Sequence, residues 1–163
     1  MQIIQLIREL NTPFRRENKN NNINNNNRNN NSGDMLLLIY LFTTIIHTEC
    51  DASKANQMVI RSWYEFANKL ENQINQTLRD QKKSKHRSSK KSAMSEVYDI
   101  LLNHFTDMIW VALKKRVEKV NKIYTLFKEI SVNNIERVST FSADKISEFN
   151  ISQIDYIIKN VTI

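Results

Sequence analysis

The chain has 163 residues, a formal charge of +7 from 24 Lys and Arg against 17 Asp and Glu, and a single Gly, Pro and Cys. One cysteine excludes an intramolecular disulfide, one glycine excludes a glycine-rich phosphate loop, and so few turn residues disfavour hairpin-rich β folds. What remains is an all-α expectation with one modest core, and a basic balance that suits anionic partners or solvated surface lysines equally.

Residues 1–10 place Ile3, Ile4, Leu6, Ile7 and Leu10 at helical spacing, and Pro13 ends the pattern. A short amphipathic segment over 1–13, docking on the body or left as a frayed end, is expected. Arg8, Arg15 and Arg16 lean weakly toward a transit peptide, but the serines of such peptides are missing. Residues 14–33 form an Asn-rich stretch with almost nothing to bury, which predicts a disordered linker. Asn tracts also support amide-ladder self-association; Lys19 and Arg28 interrupt this one.

The helical domain is assigned to 34–163. Ser32, Gly33 and Asp34 open it, with Asp34 placed to cap the next helix. Residues 35–47 are apolar almost all round, as in a buried helix. The twelve-residue run 35–46 is shorter than the roughly twenty residues a membrane span needs. The same run resembles the apolar region of a signal segment, with Ala52 and Ala55 beyond it, which is the route to a secreted chain; the positive region that should precede it is absent. A lone Cys50 otherwise fits a reducing, intracellular setting.

Residues 47–55 read as a connection in which Asp51 or Ser53 caps a helix over about 54–81. Val59, Trp63, Phe66, Leu70, Ile74 and Leu78 form its predicted stripe. Tyr64 falls outside that stripe and is expected to be exposed. A basic loop follows at 82–91, where Lys82, Lys83, Lys85, Arg87, Lys90 and Lys91 place six positive charges in ten residues without an acid. Phosphorylation of Ser88 or Ser89 would cancel much of that field.

The long central helix is predicted over 94–130, as one helix or two in line, because thirty-seven residues pass without Gly or Pro. Tyr98, Leu101, Phe105, Met108 and Ala112 step by three and four, and Leu113, Val117, Val120, Tyr124 and Phe127 repeat the rhythm. Ser95 is the expected N-cap, with Glu96 and Asp99 in the first turn. Lys114, Lys115 and Arg116 form a second basic cluster, near which a bend is expected, or else a part projecting beyond the body, because an unbroken helix would run roughly 55 Å. Paired with 54–81 it makes an antiparallel αα-hairpin. Short helices fill 131–163, with caps at Ser142 and Ser152. The expected architecture is thus an all-α helical bundle on a long central helix, with stripes that also suit coiled-coil self-association.

The chemistry-bearing residues are sparse. His47, Glu49, Cys50 and Asp51 are the one dense ligand-type set; His86 and His104 are distant in sequence, and structural zinc wants four placed N or S donors. No metal or cofactor is expected. Cys50 as a nucleophile needs His47 or His104 beside it, and Glu96, Asp99 and Asp107 read as a solvated face; no enzyme is indicated. The site expectation is therefore contact with nucleic acid or an acidic protein through Lys82, Lys83, Lys85, Arg87, Lys90, Lys91, Lys114, Lys115 and Arg116. Residues 82–91 also read as a nuclear-localisation signal or a contact for an anionic membrane surface. The alternatives are a helical scaffold or homo-oligomerisation module with no nucleic-acid role, and the secreted chain.

Overall fold

The computed structural model describes residues 1–13, 32–84, 89–104 and 108–161, with backbone alone at 32–50 and at 104. Every regular element among them is a helix and none is a strand, so the chain is all-α. In order these are α1 (Gln2–Asn11), α2 (Ser32–Lys83), α3 (Lys90–His104), α4 (Trp110–Ile130), a 3-10 helix (Val132–Arg137), α5 (Ala143–Ser147) and α6 (Ile151–Asn160). The Asn-rich tract lies outside the described residues.

Three expected boundaries differ. The connection at 47–55 is helical, and α2 runs unbroken through it for 52 residues, about 78 Å at 1.5 Å per residue. Asp51 and Ser53 resemble cap residues, yet no Gly or Pro accompanies them, and Lys54 and Ala55 are strong helix formers. The central stretch is two helices that are not in line. Tyr98 and Trp110 would sit about 18 Å apart along a straight helix, but their ring centroids are 5.2 Å apart. The interruption falls between α3 and α4, not at Lys114, Lys115 and Arg116, which lie inside regular α4. Asn103, Thr106 and Asp107 are poor helix formers and mark the place in the sequence. Finally, α3 begins before Ser95. Ser89 Oγ accepts from the Ser92 amide at 3.1 Å, so Lys90 and Lys91 belong to α3 while Lys82 and Lys83 end α2.

Two groups of buried side chains hold the helices together. The smaller joins Leu70 and Ile74 of α2 to Ala93, Val97 and Tyr98 of α3 and to Leu113 and Val117 of α4. The larger gathers Ile60 of α2 and Ile123, Leu126, Phe127 and Ile130 of α4 with the C-terminal elements. From those come Ile135, Val138, Phe141, Ile146, Phe149, Ile154 and Ile157. Leu6 and Leu10 of α1, one turn apart and fully buried, close the larger group.

Polar contacts fix the same joints. Arg137 donates to the Leu10 carbonyl at 2.6 Å, satisfying the end of α1. Glu9 accepts from the Ser139 amide at 2.9 Å and from the Thr140 hydroxyl. The buried Asn134 side chain donates to the Ile130 carbonyl at the end of α4. Ser142 caps α5 as expected. The cap of α6 is Asn150, not Ser152: Asn150 Oδ1 accepts from the Gln153 amide at 2.9 Å, and Gln153 Oε1 accepts from the Asn150 amide at 2.8 Å. That reciprocal pair satisfies two end amides where a serine would satisfy one.

Candidate functional site

The site grows out of the two faces of α4. Leu113, Val117 and Val120 point into the protein, and the residues between them carry charge outward. Lys115, Arg116 and Lys119 reach the edge of a groove between α2 and α4, while Lys114 is exposed and does not line it. Trp63 and Phe66 of α2 face them across the groove, and Ala112, Leu113 and Val120 of α4 complete an apolar floor. Leu101 and Met108 close one part, and the volume is about 830 Å³.

Phe66 belongs to the expected core stripe of α2, but it remains 39% exposed, and Val59 is 46% exposed. The buried residues in the first half of the stripe are instead Ile60 and Ala67. Tyr64, expected to be exposed, is half-buried, its ring 5.3 Å from that of Tyr124. Rotation of the inward face by about one position turns Phe66 toward the groove.

The cations are not equivalent. Lys119 Nζ lies 3.0 Å from Asp144 Oδ1 and anchors α5 to α4. Lys122 Nζ donates to the Ser147 carbonyl at 2.7 Å and adds a second tie. Among the described residues Lys115 and Arg116 have neither ion pair nor hydrogen bond, and both stand beside an apolar floor.

The described lysines of the basic loop do not line this groove. Lys82, Lys83, Lys90 and Lys91 are exposed, with Lys83 Nζ 3.8 Å from Asp80. Lys85 and Arg87 lie outside the described residues. Lys90 lines a second, smaller recess of about 400 Å³ with Glu71 and Lys128. Of the expected contact residues, then, the structure brings together Lys115 and Arg116, and adds Lys119, Trp63 and Phe66.

The second recess contains a polar clamp. Tyr124 donates to Glu71 Oε2 at 2.8 Å, and Lys128 Nζ lies 3.5 Å from the same oxygen and 4.9 Å from the Tyr124 ring centroid. The Tyr124 hydroxyl, and then Lys128, hold the Glu71 carboxyl below its ordinary value against a smaller opposing effect of burial. Burial first, and then Glu71, raises Tyr124. Lys128 is raised by the Tyr124 hydroxyl first and by Glu71 second. All three shifts favour the protonation states that bind α2 to α4, which is the arrangement of a structural joint.

No group of three or more His, Cys, Asp and Glu able to hold a metal occurs among the described residues. His86 and the side chains of His47, Glu49, Cys50 and His104 lie outside them. No described helix is long and apolar enough to cross a membrane. Compared with family models, with curated proteins and with solved structures, the chain matches none.

Proposed function

We propose that the chain is a non-enzymatic helical interaction protein that binds an acidic protein partner along the groove between α2 and α4. The observation that carries this reading is the pairing of an apolar floor with Lys115 and Arg116, two exposed cations without an ion pair among the described residues. Complementary charge steers encounter and sets orientation, while apolar contact in the centre of an interface supplies much of the affinity. A surface that tracks phosphates spreads its cations along a polar face. This groove is apolar in its floor, which favours protein over nucleic acid. The exposed lysines at the ends of α2 and α3 add long-range attraction for the same kind of partner.

The test is binding of the intact chain to polyglutamate and to random-sequence duplex DNA across a salt series. The intact chain is compared with a Lys115→Gln/Arg116→Gln variant and with a variant neutralised at Lys82, Lys83, Lys90 and Lys91. Polyglutamate binding that weakens at least fivefold in the groove variant supports the reading. Preferred duplex binding with a steep salt slope, lost only in the 82–91 variant, replaces it with nucleic-acid contact. An intracellular setting goes with the proposal. N-terminal sequencing of the chain isolated from its source checks this, since a start beyond Ala52 or Ala55 overturns it in favour of secretion.

A further inference from the structure

We infer that the occupant of the groove is a single amphipathic helix whose exposed flank is acidic. This rests on the proposed function above and specifies the partner's chemistry. A helix docking in a groove needs apolar ground for anchors at i, i+3, i+4 and i+7, and here two antecedent helices supply it. Trp63 and Phe66 are one helical step apart on α2, and Ala112 and Leu113 lie across from them on α4. Ala112 is exposed and small, which leaves room for a partner's side chain between its larger neighbours.

The charge flanks the same ground. Lys119 is held by Asp144 at 3.0 Å, so the open cations are Lys115 and Arg116, adjacent residues about 100° apart around α4. A partner helix seated on the apolar floor would meet them with acidic residues on its exposed flank. An extended acidic chain would reach the same cations, but its anchors would alternate rather than fall at three- and four-residue spacing.

Three peptides separate these cases: an acidic amphipathic helix of about fifteen residues with leucines at the anchor spacing, a scrambled peptide of identical composition, and polyglutamate. Each is titrated into the intact chain. The expected result is at least tenfold tighter binding of the amphipathic peptide than of the scrambled one, with a gain in helical circular dichroism on binding. Phe66→Ser and Ala112→Glu should each remove that preference. Ala112→Glu is the variant safe for folding, because the site is exposed and Glu is a strong helix former. Equal binding of both peptides, with polyglutamate also bound, overturns the helical occupant and leaves the acidic-partner reading in place. Failure of all three to bind overturns both. A preference that survives Ala112→Glu places the helix elsewhere and sinks the assignment to this groove.

Discussion

Glu71 shows what a single side chain decides in this protein. Its carboxylate accepts from Tyr124 and pairs with Lys128, joining α2 to α4. The folded-state pKa is lowered, so the contribution to stability is fully present above the ordinary carboxyl value of 4.5 and is lost as pH falls through the folded value. Tyr124 and Lys128 are raised instead. Their contributions are present below their ordinary values of 10.0 and 10.5 and are lost as pH rises through the folded values. Glu71→Gln keeps an acceptor but removes the charge. It should lower stability at pH 7 by roughly 0.5–1 kcal/mol, a small figure because the side chains are partly exposed. Denaturant titrations over a series of pH values from neutral down through the carboxyl range check this: the gap between the two proteins should close as Glu71 is protonated. A gap that stays constant would mean that the charge is irrelevant and only the shape of the side chain matters. None of this clamp was legible in the sequence, where Glu71 is one of many surface acids. It exists only because α2 and α4 bring residues 53 positions apart together.

Elements were legible to the extent that the chain marks them locally. The inward face of α4 is largely readable from its steps: Leu113, Val117, Val120 and Phe127 are buried as expected, while Tyr124 of the same set is half-buried and Ile123 beside it is buried instead. The stripe of α2 over 59–67 is not readable, because Val59, Trp63 and Phe66 compete with Ile60, Tyr64 and Ala67 at equally regular spacing. The choice between two such stripes is made by the partner helices, not by the pattern. The interruption between α3 and α4 lacked the Gly or Pro that normally punctuates a helix, and 47–55 carried cap residues without a break. Caps can be tested directly. Asn150→Ala should destabilise the protein by about 1 kcal/mol, because it removes the side-chain acceptor from the Gln153 amide. Ser152→Ala, at an exposed position past the cap, should change little. Equal effects at the two sites would restore Ser152 as the start of α6.

At the scale of the whole molecule, the question is whether the N-terminal helix is an appendage or a structural part. The sequence allowed a docking segment or a frayed end over 1–13. The groove was equally beyond a local reading, since it is lined by residues such as Phe66 and Arg116, fifty positions apart on two different helices. For α1 the structure gives specific joints. Leu6 and Leu10 are fully buried, and α1 packs against the 3-10 helix and α6. Arg137 satisfies the Leu10 carbonyl, and Asn11 donates to the Asn160 carbonyl at 3.0 Å. A frayed helix contributes nothing to the global transition, whereas one seated in the core unfolds with it. Leu10→Ala should therefore cost about 2–5 kcal/mol in global stability, the range for truncating a buried leucine. Tryptophan fluorescence, which reports on Trp63 and Trp110, and far-ultraviolet circular dichroism should shift together in a denaturant titration. Trp63 packs against the same group of buried residues as α1, so its signal carries the loss of that contact. If instead the fluorescence midpoint stays fixed while a small helical signal disappears early, α1 is an independent appendage, and the core of this fold begins at α2.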